Sequence, residues 1–309
     1  MQECAGCGAR KLIVRRSSGE RFNQICGWAP LFFLPLLAVA CRGFFQPWQF
    51  MWLLSISLFL SLKWLTWWQA RNRIAHPAWR SVAYLLAWPG MDADAFLNPK
   101  VRPVKPGFSI WFGAILETSV GAALIWLVAR FIPPDRPMLA GWTGMVGLIF
   151  FLHFGMFQLA ALGWRSIGVD AERIMAAPLR STSLAEFWGK RWNLGFRELT
   201  HKLVFRPLGR KVGAGGATLA AFAVSGLIHD LVISLPARGG YGLPTLYFVL
   251  QGVGVALERS QIGKRLSLGR GAGGWLFMIL ILILPIYGLF HPWFVLRVIL
   301  PFMRVIHAI

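Results

Sequence analysis

The run Ser225-Gly226-Leu227-Ile228-His229-Asp230 puts an imidazole inside a stretch apolar enough to lie in a bilayer. An ionisable group at such a depth is costly and marks a functional site by default. A histidine with an ordinary pKa of about 6.5 can take a proton from a hydroxyl at neutral pH. Asp230 follows directly, so on a helix it points about 100° away from His229 and is expected to face another helix or water. A hydrogen bond between helices is the alternative role for His229.

Thirty-six residues upstream of His229 lies Asn193, in the run 183–206. Ser183 and Glu186 have the spacing of a capping box, which predicts a helix starting at Leu184. Leu184, Trp188, Trp192, Phe196, Leu199 and Leu203 then recur every three or four residues as one apolar stripe. Lys190, Asn193, Arg197 and His201 fall on another face. Such a helix lies well in a membrane interface. Interfacial anchoring accounts for the tryptophans and the basic residues but not for an asparagine among the charges. His153, central in its own apolar run, is a reserve candidate for a polar role, with hydrogen bonding in the core as the alternative. Glu117, also inside an apolar run, is expected to line a cavity or pair with an arginine.

Two further patterns carry less. Cys4-Ala-Gly-Cys7 is half of a zinc knuckle, and the second half is missing, so no metal site is expected. Gly213-Ala-Gly-Gly216 lacks the Lys-Ser/Thr of a phosphate loop and reads as a flexible entry to an apolar span.

The segment Phe187-Trp188-Gly189-Lys190-Arg191-Trp192-Asn193 and the segment Ser225–Asp230 resemble the wax-synthase branch of the membrane-bound O-acyltransferase family. Leu85, Ala87 and Trp88-Pro89-Gly90-Met91-Asp92 resemble a cytosolic motif of that branch, and His153-Phe154-Gly155, Trp164-Arg165 and Pro178-Leu179 sit where such proteins tend to have them. The resemblance covers roughly residues 80–260. It implies that His229 and Asn193 act together in moving an acyl group to a hydroxyl. His229 would be the base, and the Asn193 amide would serve the alcohol or the developing oxyanion. Trp188, Lys190, Arg191, Trp192, Arg197, Asp230 and His153 would contact substrate. Asp230 departs from the pattern, where Glu is more frequent, but keeps a carboxylate. The resemblance implies no bound cofactor and an acyl-CoA co-substrate arriving from the cytosol. A long-chain alcohol giving a wax ester is the first expectation for the acceptor, with acetyl transfer to a polysaccharide or another small alcohol as the alternative. A non-enzymatic transporter or scaffold, with His229 and Asn193 as helix-to-helix glue, is the reading from another class.

The elements that must position these residues follow from composition. The 309 residues include 32 Lys+Arg and 12 Asp+Glu, a net charge of +20, yet only 14% are charged, against about 25% in ordinary soluble domains. Mean hydropathy is +0.57. One soluble core stops growing near ~250–300 residues, so a soluble globule is excluded, as is disorder. The expected fold is all-α and polytopic, with about eight transmembrane helices plus interfacial ones. The spans are near 28–41, 48–68, 108–130, 139–162, 216–236, 242–258, 273–290 and 292–308. Loops 69–107, 163–213 and 259–272 are rich in Lys and Arg, and the loops between them are poor. The positive-inside rule then puts the N-terminus and the rich loops in the cytosol, with a bacterial inner membrane as the expected location. The basic residues lie between apolar runs, so the expected partner is membrane lipid and not nucleic acid. The basic loop 163–213 can hold donor phosphates, although a purely topological role explains the same charges. Residues 1–27 are expected to form a cytosolic basic tail, ahead of a membrane-embedded domain at 28–309 and a first span retained as an anchor.

Overall fold

The structure is a computed structural model and describes residues 18–309. Cys4, Cys7 and most of the expected basic tail lie outside the described residues. Among the described residues the regular structure is helical throughout. Helix α1 (Ser18–Ala40) begins inside the stretch expected to be tail. It packs along α2 (Pro47–Ala70). A short amphipathic helix α3 (Ala78–Ala87) follows, then α4 (Phe108–Phe131) and α5 (Pro137–Ser166), which pack on each other.

Among the described residues six segments are long and apolar enough to cross a membrane: Phe22–Phe44, Pro47–Ala70, Phe108–Phe131, Pro137–Ser166, Leu194–Ala237 and Gly271–Leu289. They coincide with six of the eight expected runs, and the chain is an integral membrane protein. The other two runs are helical but shorter. Leu243–Arg259 has 17 residues, about 25 Å of helix against a hydrocarbon core of about 30 Å. The helix over 292–305 is shorter still, and its Val295, Val298, Ile299 and Met303 are buried against Ile125, Met145 and Phe248. It is a core helix, which explains how Arg297 is tolerated: its guanidinium donates to the carbonyls of Ala237 and Arg238. The expected count of eight spans is therefore not reached by length and composition.

The segment Leu194–Ala237 places the site. Forty-four residues in a straight helix would run about 66 Å, twice the bilayer core. The helix instead breaks at Gly213, whose φ of 73° and ψ of 173° are open to glycine. A Cβ on Gly209 would stand 3.8 Å from that of Ala217, whereas eight residues of straight helix would separate them by about 12 Å. The chain doubles back. After a short helix α6 over residues 184–191, residues 194–212 form one arm, α7, and residues 214–237 form the other, α8. Gly213–Gly216, expected to be a flexible entry to a span, is the tip of this hairpin. Asn193 precedes the tip by 20 residues and His229 follows it by 16, so the fold brings both to the same end.

Arm α8 packs along α9 (Leu243–Arg259). The two are in close contact at Gly226, where a Cβ would sit 2.7 Å from the Thr245 Cα. Gly226→Ala should push α8 off α9 one turn before His229. Overpacking of this kind costs about 1–3 kcal/mol, so a lower unfolding temperature is expected for the detergent-purified variant. An unchanged temperature would show that the two helices are not in fact held this closely. Helix α10 (Gly271–Leu289) and helix α11, residues 292–305, complete the bundle.

Candidate active site

A cavity of about 370 Å³ lies between the two hairpin arms, α9, and a short helical segment over residues 184–191. This is within the range of small-molecule sites, about 300–1,000 Å³. Asn193 and His229 both line it.

The His229 ring has a defined tautomer. Its Nδ1 stands 2.7 Å from the Ser225 carbonyl oxygen. A carbonyl only accepts, so Nδ1–H donates, and in the neutral ring Nε2 keeps its lone pair. The ring lies against Phe248, 4.3 Å between centroids. Residues 230–234 immediately after it form a π-helical turn, a local widening that is frequent at functional sites.

Asn193 is positioned by a break that the apolar stripe does not reveal. Ser183 caps the helix at Leu184 as expected, its hydroxyl accepting from the Glu186 N–H at 3.0 Å. Glu186 reaches the Thr182 N–H instead of its own cap. The helix ends at Arg191, and Asn193 takes a left-handed conformation (φ 42°, ψ 61°). Its side-chain oxygen accepts from the Phe196 N–H at 3.2 Å and so caps α7. The amide NH2 makes no hydrogen bond to the protein among the described residues. Leu194 N donates to the Ile174 carbonyl at 2.9 Å, holding the break from one side.

Of the other residues singled out from sequence, Trp188, Trp192 and Arg197 line the cavity, and Lys190, Arg191, Asp230 and His153 do not. Lys190 is exposed. Arg191 turns back to Glu186, 2.7 Å away, and donates to the Ala176 carbonyl. Asp230 accepts from Ser234 Oγ, from the N–H groups of Gly242 and Thr245, and from the Thr245 hydroxyl. It therefore caps the start of α9, as a carboxylate at a helix N-terminus should. His153 packs its ring against Phe157, and its Nδ1 is buried without a partner. Ser225, Phe248 and Arg259 also line the cavity. Arg259 was readable only as the basic end of an apolar run. Among the described residues no three His, Cys, Asp or Glu side chains group to hold a metal.

The mouth of the cavity is basic. Arg197, His201 and Arg259 line it, with Arg197 paired to Glu198. The segment carrying Trp188 is tied down electrostatically. The Thr182 N–H, then Arg191, hold the Glu186 carboxyl below its ordinary value of 4.5. Its contribution is complete above that value and is lost as the pH falls through the lowered one. Unfolding temperature should therefore drop, as the pH falls below 4.5, more steeply in the native protein than in Glu186→Gln. Parallel curves would mean that this carboxylate adds nothing to the fold.

An imidazole base and an unused amide donor facing one largely apolar cavity suit proton removal from a hydroxyl with stabilisation of a developing oxyanion. Residues 171–250 match the profile of the membrane bound O-acyl transferase family. The chain is 29% identical over 164 residues to a long-chain-alcohol O-fatty-acyltransferase of Simmondsia chinensis, covering 43% of this chain and 47% of that protein. It is 30% identical over 187 residues to a probable long-chain-alcohol O-fatty-acyltransferase 9 of Arabidopsis thaliana, covering 54% and 52%. The chain spans about half the length of the curated relatives it matches. Both relatives are plant proteins, so they give no support to the bacterial inner membrane expected from sequence. The matching segment carries Asn193, His229 and the hairpin that joins them, and over that segment the chain is similar to the membrane bound O-acyl transferase family.

Proposed function

We propose that this chain transfers an acyl group from acyl-CoA to a hydroxyl, with a long-chain alcohol as the acceptor and a wax ester as the product. The observation that carries the proposal is the shared cavity, in which His229 offers an unprotonated Nε2 and Asn193 a free amide. As the alcohol oxygen attacks the thioester carbonyl, its proton passes to His229 Nε2. The carbonyl oxygen becomes an oxyanion and takes an N–H from Asn193. Collapse breaks the C–S bond, and the imidazolium returns the proton to the leaving thiolate. Ester and free thiol result, and His229 is restored.

Arg197, His201 and Arg259 at the mouth suit donor phosphates. Trp188, Trp192, Phe222 and Phe248 suit the alkyl chain. The basic loops support a cytosolic donor side, with residues 28–309 forming the membrane-embedded unit. The test uses membranes from a host without neutral-lipid synthesis, with and without this chain. They receive labelled palmitoyl-CoA and a long-chain alcohol. Labelled ester that depends on both the chain and the alcohol is the expected result. Its absence with the protein present would remove the long-chain acceptor and turn the assay to acetyl donors and polar alcohols.

A further inference from the structure

We propose that Lys63 is a positioning residue for Asn193, its buried side-chain nitrogen pinning the Trp88–Asp92 segment against the start of α7. The proposal rests on the reading of Asn193 as a hydrogen-bond donor to the reacting groups.

Lys63 lies within α2, and its side chain is fully buried, at 0% exposure. A lysine is almost never buried to that degree unless paired, and among the described residues no carboxylate pairs with it. Its Nζ donates to the Gly90 carbonyl at 2.6 Å and stands 3.1 Å from the centroid of the Tyr84 ring. That ring is fixed in turn, because the Tyr84 and Thr66 hydroxyls share a hydrogen bond of 2.7 Å. The Lys63 nitrogen therefore ties α2 to α3 and holds the chain just beyond α3.

The next residue, Met91, meets α7. Its amide nitrogen lies 3.3 Å from where a Cβ on Gly195 would be, and Gly90, Met91, Leu194 and Gly195 line one small cleft. Gly195 is two residues past Asn193. A non-glycine residue keeps a left-handed backbone only where its surroundings over-determine it. Asn193 has several such supports. Its own N–H donates to Met175 Sδ at 3.3 Å and the Leu194 N–H to the Ile174 carbonyl, its side-chain oxygen accepts from the Phe196 N–H, and the Met91 backbone that Lys63 holds packs against the next turn. Sequence reading passes over Lys63, because one basic residue in an apolar run only weakens the span.

The test uses the full chain, purified in detergent, with palmitoyl-CoA and a long-chain alcohol. Lys63→Met keeps the length and bulk of the side chain and removes the hydrogen-bond donor. It should lower kcat by about 10-fold or more with both KM values within about twofold, at an unchanged unfolding temperature. In an Asn193→Ala background the same change should cost less than about twofold of any residual rate. Gly195→Ala disturbs the same contact from the other side without touching the buried Lys63, and it should show the same kcat loss. If Lys63→Met does not accumulate, this second variant decides. A loss carried by KM, a loss that tracks a lower unfolding temperature, or an equal loss in the Asn193→Ala background would overturn the proposal. Full activity of Asn193→Ala alone would instead overturn the reading of Asn193 on which it rests.

Discussion

Ester formation should fall by about 10³-fold when His229 is replaced by alanine, within the 10²–10⁴-fold typical of a positioned general base. Folded protein should stay near the native amount. The two expectations separate because of what the ring does in the fold. Its one hydrogen bond runs back to Ser225 on the same helix, so removing it leaves no partner on another element unpaired. The carbonyl it releases is that of an i−4 residue, which α8 already engages. What disappears is the free Nε2 in the cavity. His229→Gln is the sharper comparison, because glutamine fills the space and can hydrogen-bond but does not take a proton at neutral pH. Both variants should be equally inactive when labelled ester is measured per amount of folded protein. Activity above about a tenth of native in either would mean that the alcohol is deprotonated by something else. A transporter would give a third result, movement of labelled lipid with no new ester bond.

The residues that prediction depends on were legible in sequence, but their arrangement was only partly so. His229 stands out because an ionisable group in an apolar run is expensive, and Asn193 because it sits among charges in an amphipathic run. Helical spans were legible wherever about 20 apolar residues run together. The stripe from Leu184 to Leu203, however, reads as one unbroken helix, whereas the chain turns at Asn193. Period alone does not detect a break after which the same faces converge, here with Trp188 and Arg197 lining one cavity. The fold-back at Gly213 was hidden for a similar reason. One glycine among 33 takes the positive φ that reverses the chain, and only packing selects it. Asp230 was expected to turn away from His229, and it does, but that it caps α9 depends on residues 12 and 15 positions later. Lys63 was missed because its acceptor is a backbone carbonyl 27 residues away.

Asn193 holds two jobs in one side chain, and substitution can divide them. The oxygen caps α7 through the Phe196 N–H. In the proposed mechanism the amide nitrogen serves the reaction. Asn193→Asp keeps the first and deletes the second. Aspartate caps a helix about as well as asparagine, and it too tolerates a left-handed backbone. The unfolding temperature of the purified variant should therefore match the native one. The carboxylate has no N–H to give, and its charge would face a developing oxyanion. A fall of about 10²–10³ in kcat is expected, the size seen when one oxyanion donor is removed. The partition of the loss also settles which partner the amide serves. An oxyanion contact exists only in the transition state, so its loss appears in kcat with KM for the alcohol unchanged. A contact to the alcohol itself is present in the ground state, and its loss raises that KM. Asn193→Gly is the complementary case. It keeps the backbone conformation and loses both side-chain roles, so it should show the same kinetic loss with only a few tenths of a kcal/mol less stability. Native activity in Asn193→Asp would leave Asn193 as a helix cap alone, and the oxyanion would then need another donor in the cavity.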